Sequence, residues 1–211
     1  MKTDRLIEIL GANIEPVSPR RLRATVVLAL VAGAMGAFCL MLATVGPRTN
    51  VAAHIPSLAI KLGFALAVAG AGSAFLARSM RPGQHSRRLL ALMWLPFIAM
   101  GVAAVTALVV AEPASRGALV LGTAWWGCLV CVPLFAAVPF AALIGAARNG
   151  APTSLARTGA AAGLVAGAFG AAAYALHGPD DFIPFIAVWY SAAIGLCALV
   201  GALLGRRLLQ W

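Results

Sequence analysis

Acidic residues are scarce in this chain, which has 6 Asp and Glu against 16 Lys and Arg in 211 residues. Charged residues of both signs make up 10% of the sequence, whereas soluble domains carry about a quarter. A soluble fold with 62% hydrophobic residues could not cover its apolar surface with so few charges. The same numbers exclude intrinsic disorder, which requires low hydrophobicity. Composition therefore predicts a polytopic membrane protein.

Six apolar runs separated by turn residues predict six membrane-spanning helices. The first run has 23 residues, which as a helix extends about 34 Å and crosses a hydrocarbon core of about 30 Å. It is too long for the apolar region of a cleaved signal peptide, and the short alternating segments of membrane β-strands are missing. We therefore predict an all-α bundle. Its spans cover about residues 24–46, 57–77, 89–111, 122–146, 155–176 and 183–205.

The basic residues lie mostly in alternate gaps between the spans. Cytoplasmic segments of membrane proteins are enriched in Lys and Arg, so this asymmetry predicts that both termini are cytoplasmic. Residues 1–22 then form a cytoplasmic segment, and residues 23–211 form the transmembrane domain. Arg48 and Arg116 fall on the opposite side, and Lys61, just inside the second span, is expected to extend outward to the membrane surface. Thirteen of the sixteen basic residues share the side of the N-terminus: Lys2, Arg5, Arg20, Arg21, Arg23, Arg78, Arg81, Arg87, Arg88, Arg148, Arg157, Arg206 and Arg207.

Motifs of common catalytic sites are missing from the sequence. The chain contains no GxxxxGKS, HExxH or GxSxG motif, and its apolar runs contain essentially no Asp or Glu. Pumps and ion-coupled transporters normally carry such acidic groups near the middle of the membrane. We therefore expect a protein that is not an enzyme and has no cofactor. Its excess of basic residues follows the membrane topology and faces the lipid bilayer, so direct binding of nucleic acid is not expected.

Cys128 and Cys131 are spaced so that both thiols lie on one face of the fourth predicted helix. Thiols and imidazoles bind soft metals, and His177 in the last outer loop falls at a similar depth. Two readings stay open: a sensor site formed by Cys128, Cys131 and His177, or small buried packing residues. The neighbouring Asp180 and Asp181 are expected in a solvated loop at the start of the sixth helix.

Two further patterns concern packing. Gly159, Gly163 and Gly167 recur every four residues in the fifth span, which favours close approach of another helix within the chain. Near the N-terminus, a short amphipathic helix is predicted whose apolar face holds Leu6, Ile7, Leu10 and Ile14. This face requires either a membrane surface or the groove of a partner protein.

Several segments together resemble the NrsF family of six-span bacterial anti-sigma factors. The similarity covers the whole chain, from the opening MKTDRLIEIL through RLR, RPG and NGAP to the more specific YALHGPDDFIPFIAVWY and GALLGRRLLQW. The resemblance implies that the protein holds an extracytoplasmic-function sigma factor at the inner membrane and releases it on an envelope, metal or oxidative signal. It also assigns the sigma factor, rather than lipid, to the apolar face formed by Leu6, Ile7, Leu10 and Ile14.

Members of the family that this chain resembles have two cysteines in the outer half of the bundle. Cys128 matches the first, which precedes the proline of the fourth span, whereas Gly178 stands where the second follows the histidine of the last outer loop. His177 is then a substitute ligand beside Cys128, with Cys131 as an additional thiol.

A small-molecule or metal transporter is the leading alternative function, and a structural or assembly role is the third.

Overall fold

The computed structural model describes residues 19–49, 54–80, 87–150, 152 and 154–210 of the chain. These residues form helices and loops without any strand, and six helical stretches among them are long and apolar enough to cross a membrane. The prediction of an all-α protein with six spanning helices is therefore confirmed. The six stretches are Arg20–Thr44, Ile55–Ser79, Arg88–Val110, Arg116–Arg148, Leu155–Ala175 and Ile183–Leu208.

The helices are labelled in chain order, and the fourth span contains two of them separated by a break at Gly122. α7 begins as one short α-helical turn, continues as a π-helical turn over Ile186–Tyr190, and ends as the regular helix Ser191–Leu208. The labels are α1 (Pro19–Thr44), α2 (Ile55–Ser79), α3 (Arg87–Val110), α4 (Arg116–Leu121), α5 (Trp125–Arg148), α6 (Leu155–Ala175) and α7 (Ile183–Leu208).

α6 is the central helix of the bundle, because 78% of its apolar stretch is buried, compared with 11% for that of α3. Its glycines allow this position. A Cβ placed on Gly159 would lie 2.7 Å from the Cα of Gly205, and one on Gly167 would lie 2.8 Å from the Cβ of Cys197. A Cβ on Gly163, which is on α6, would collide with the backbone carbonyl of Cys197, which is on α7. The prediction that these glycines pack helices within the chain is confirmed, and the partner is α7.

Consecutive spans run in opposite directions, so the bundle has two distinct ends. We call one the aspartate end, because α1 ends and α2 and α5 begin there beside Asp180 and Asp181. The other is the terminal end, where α1 begins, α7 ends and the Nε atom of Arg148 donates to the carbonyl of Leu208. Thr158, at the start of α6, meets Ser79, at the end of α2, on the same terminal end.

Large apolar side chains cover the sides of the bundle between these two ends. On α3, for example, Trp94 is 60% exposed and Val105 is 61% exposed. Such a perimeter is suited to hydrocarbon, since continuous apolar patches of this size are rare on soluble monomers.

Candidate functional site

Asp181, in the loop between α6 and α7, is surrounded by three basic side chains. Its Oδ1 accepts a hydrogen bond from Lys61 Nζ at 2.6 Å, and its Oδ2 lies 3.1 Å from Arg48 Nη1 and 2.9 Å from His54 Nδ1. Arg48 follows α1, whereas His54 and Lys61 belong to the start of α2. A single carboxylate therefore joins the α6–α7 loop to two other parts of the chain.

Lys61 is buried inside the bundle, with 1% of its surface exposed. Its Nζ also donates to the carbonyl oxygen of Gly178 at 3.0 Å. The prediction that this side chain extends outward to the membrane surface is therefore wrong. A buried charge requires a close counter-charge and further hydrogen bonds, and the α6–α7 loop supplies both to Lys61.

The carboxyl group of Asp181 is stabilised in its ionised form. Partial burial alone would raise its pKa, but the hydrogen bond and charge of Lys61, followed by those of Arg48, outweigh this effect. The pKa of Asp181 is consequently below its ordinary value. The cluster thus keeps a negative charge at its centre over the physiological pH range.

Asp180 points the other way and binds the start of α5. Its two carboxylate oxygens accept hydrogen bonds from the backbone N–H of Thr123 at 3.0 Å and of Ala124 at 2.8 Å, and from the hydroxyl of Thr123 at 3.0 Å. Ala124, the N-cap residue of α5, has no side chain that could perform this role. A carboxylate near a helix N-terminus also interacts favourably with the helix dipole.

Gly122 makes this capping arrangement possible. Its φ of +58° is in the region that glycine adopts without strain. A Cβ at this position would lie 2.9 Å from the Cγ of Asp180. The break between α4 and α5 therefore requires glycine at position 122 for two reasons: the backbone conformation and the close approach of the carboxylate.

The α6–α7 loop is thus a packed junction, and the expectation that Asp180 and Asp181 lie in a solvated loop is wrong. Asp180 is 6% exposed. The Nδ1 of His177 lies 3.0 Å from the carbonyl oxygen of Gly46, and the backbone N–H of Arg48 donates to the carbonyl of Leu176. Since a carbonyl only accepts, this contact places a proton on Nδ1 of His177 and leaves Nε2 as the nitrogen that could bind a metal.

Aromatic side chains of α5 and α7 pack against each other beside the junction. Trp125 stacks on Trp126 with ring centroids 4.3 Å apart and contacts Trp189 at 4.9 Å. The indole N–H of Trp189 donates to the carbonyl of Val120 at 2.9 Å. Trp189 and Tyr190 belong to the π-helical turn of α7, and turns of this kind are frequent at functional sites.

The two cysteines of the predicted sensor lie next to this junction. Cys128 is fully buried and Cys131 partly buried on the first turns of α5, and both thiols are free. Cys128 belongs to the same cluster of buried residues as Tyr174 and Tyr190. Within the described ranges, no group of three or more His, Cys, Asp and Glu side chains is placed to hold a metal ion. A site formed by Cys128, Cys131 and His177 stays a prediction.

Gly178 faces the same interior region. A Cβ at this position would lie 3.0 Å from the ring of Tyr174 and 3.4 Å from the hydroxyl of Tyr190. That hydroxyl is buried and has no hydrogen-bond partner among the residues that the structure describes. Position 178 therefore borders two tyrosines of the buried cluster that also contains Cys128.

The predicted partner-binding residues Leu6, Ile7, Leu10 and Ile14 lie outside the described residues. Sequence reasoning also missed the roles of Arg48, His54 and Lys61. One feature of the sequence points to them: Lys61 lies within an apolar run, and a lysine in such a position needs a nearby acid. On its side of the predicted topology, the available acids are few: Glu112, Asp180 and Asp181.

Comparisons with known proteins point to one family. The family profile described as "NrsF: Negative regulator of sigma F" matches residues 10–211. The chain is 37% identical over 214 residues to the "Probable anti-sigma-F factor NrsF" of Azospira oryzae. It is 34% identical over 222 residues to the "Anti-sigma-F factor NrsF" of Caulobacter vibrioides. Both alignments cover 100% of this chain and 100% of the relative. No solved structure matches the chain.

Proposed function

Because this chain belongs to the NrsF family, we propose that it is an anti-sigma factor held in the bacterial inner membrane by its six spans. It binds an extracytoplasmic-function sigma factor at the cytoplasmic face and releases it on an envelope, metal or oxidative signal. The observation that carries this proposal is the full-length similarity to two relatives named as anti-sigma-F factors.

The distribution of charge supports a cytoplasmic location for the terminal end. Acids occur at the opposite end in the described part of the chain, at Glu112, Asp180 and Asp181. Basic residues near cytoplasmic ends of spans orient membrane proteins. Reporter fusions at Pro82 and Gly150 test this orientation, and periplasmic exposure of either position would contradict it. The described arginines of the terminal end are Arg20, Arg21, Arg23, Arg78, Arg87, Arg88, Arg148, Arg157, Arg206 and Arg207.

The sigma factor docks on the segment that precedes α1. This segment carries the apolar residues Leu6, Ile7, Leu10 and Ile14 at helical spacing. An amphipathic helix presented in this way binds an apolar groove of a partner through residues at such spacing.

Co-purification of the full chain with the sigma factor encoded beside it tests this docking. The double variant Leu6→Asp, Leu10→Asp should lose the sigma factor while still inserting into membranes. The matched control is Arg5→Gln, Glu8→Gln, which changes two residues of the polar face in the same segment and should retain capture. Unchanged capture by the aspartate variant would contradict the proposal and favour the loops around residues 78–88 and 148–157.

The signal is received at the aspartate end, where Cys128, with Cys131 or His177, binds a soft metal or reacts with an oxidant. The free thiols on one helix face and the available Nε2 of His177 support this assignment. A sigma-dependent reporter strain challenged with cadmium, copper and peroxide tests it. The variant Cys128→Ser, Cys131→Ser should lose the response, and Cys39→Ser, which alters an exposed cysteine of α1, should keep it. A normal response of the double variant would reduce both residues to packing.

A further inference from the structure

A groove of about 780 Å³ lies between α1 and α2 at the terminal end. Two arginines line it, Arg23 from the first turns of α1 and Arg78 from the last turn of α2. Below them, Val26, Val27 and Leu30 form an apolar wall on α1. From Arg23 to Leu30 this wall extends about 10 Å along the helix, from the membrane surface toward the hydrocarbon interior.

The groove exists because α1 and α2, although consecutive, pack against different partners. α1 approaches α5, where a Cβ on Gly33 would lie 2.8 Å from the Cα of Pro139. α2 approaches α6, where a Cβ on Gly72 would lie 2.8 Å from the Cγ2 of Val165. The space between the two helices at this end is left without a protein side chain of the described residues to fill it.

Both arginines are exposed, and neither has an ion pair or a hydrogen bond of its side chain with another described residue. Val27, on the apolar wall, is 58% exposed. The exposed side chains of Leu28 and Val31 extend this wall onto the apolar perimeter of the bundle. A molecule in the bilayer can therefore enter the groove from the side, with its polar part at the level of the arginines.

We propose that this groove is a binding site for an anionic phospholipid. The phosphate lies between the guanidinium groups of Arg23 and Arg78, and an acyl chain lies along Val27 and Leu30. Guanidinium groups bind phosphate through charge-assisted hydrogen bonds, and basic pockets between spanning helices are recognised lipid sites. A soluble anion would leave the apolar wall unfilled, whereas a zwitterionic lipid would lack the net charge that two arginines select. The bound lipid joins α1 to α2 at the end from which residues 1–18 emerge.

Native mass spectrometry of the full-length protein in detergent tests this site. The probe is phosphatidylglycerol, added in competition with phosphatidylcholine. We expect retained phosphatidylglycerol, and a loss of affinity of roughly 30-fold, or about 2 kcal/mol, in the variant Arg23→Gln, Arg78→Gln. The matched control is Arg206→Gln, Arg207→Gln, which removes two exposed arginines from the same end outside the groove and should retain the lipid. Ala77→Phe keeps both arginines but fills the groove, and should also lose the lipid.

Three results would overturn the proposal. Equal retention of phosphatidylcholine would show an unselective lipid shell, and equal loss in the Arg206, Arg207 control would show bulk charge attraction. Full retention in both groove variants would place the lipid elsewhere. A photoreactive residue at position 77 gives an independent check, because crosslinking to phosphatidylglycerol supports the site, and crosslinking to residues 1–18 of the chain identifies a different occupant.

Discussion

Lys61 and Asp181, which are 120 positions apart in the chain, form the shortest ion pair among the described residues, with 2.6 Å between Nζ and Oδ1. The two partners are not equivalent. Lys61 is 1% exposed, whereas the side chain of Asp181 is 21% exposed and also contacts Arg48 and His54. Loss of either partner therefore has a different consequence for the one that remains.

Replacing Asp181 is expected to destabilise the protein more than replacing Lys61. Asp181→Asn leaves the buried Lys61 charge without a counter-ion, and removal of one partner from a buried pair costs about 3–5 kcal/mol. Lys61→Met leaves Asp181 in contact with Arg48, so the free energy of unfolding should fall less. The double variant should recover part of the loss. Unfolding of the four proteins in detergent measures this cycle, and strict additivity of the two changes would contradict direct coupling.

Acid should remove the stabilisation that Asp181 provides. Because the pKa of Asp181 is lowered on folding, its contribution is complete above the unfolded value of about 3.9. It is lost as the pH falls through the lower pKa of the folded protein. The difference in melting temperature between the wild type and Asp181→Asn should therefore shrink below about pH 4. Glu112→Gln, which removes an exposed acid from the same end, serves as the control for the change in net charge.

Removing the carboxylate of Asp180 should loosen the start of α5. Asp180→Ala leaves the N–H groups of Thr123 and Ala124 without their acceptor, and loss of a helix cap costs about 0.5–2 kcal/mol. Hydrogen exchange of the backbone amides at residues 123–127 should become faster. Thr123→Val is the matched control, because it removes one hydroxyl contact and keeps both N–H bonds. Unchanged exchange in Asp180→Ala would show that the start of α5 is held by other contacts.

The contact between α6 and α7 should not tolerate a methyl group at Gly163. Gly163→Ala directs a Cβ onto the carbonyl of Cys197, and overpacking of this kind costs about 1–3 kcal/mol. Gly195→Ala introduces the same methyl group on α7, where nothing lies within 4 Å of the new Cβ, and should be neutral or slightly stabilising. Thermal unfolding of the two variants under one condition measures the difference, and equal stability would contradict the packing.

The spans could be predicted from the sequence because each one is a local pattern. About twenty consecutive apolar residues specify a spanning helix regardless of its neighbours, and the glycine spacing of α6 identified a close helix contact. The break between α4 and α5 at Gly122 could not be predicted in this way, since the predicted fourth span begins at residue 122 and does not include α4. The glycine there is required by Asp180, which is distant in the sequence.

The polar junction could not be predicted from local pattern. Lys61 lies near the end of an apolar run and Asp181 lies in a loop, so local pattern predicts that each side chain extends out of the bundle. Their pairing depends on which helices become neighbours, and hydropathy does not contain that information. Residues 1–18, which include the predicted sigma-binding face, lie outside the described part of the chain, so that prediction depends on the family and on helical spacing.

Asp180 and Asp181 are consecutive, yet they bind different elements: Asp180 binds the start of α5, and Asp181 binds the end of α1 and the start of α2. Their Cα atoms are separated by a single trans peptide, about 3.8 Å. The carboxylate that binds the start of α5 and the one that binds the start of α2 are therefore both held by a single short stretch of backbone. At this end of the protein, two helices that are far apart in the sequence therefore share one point of attachment.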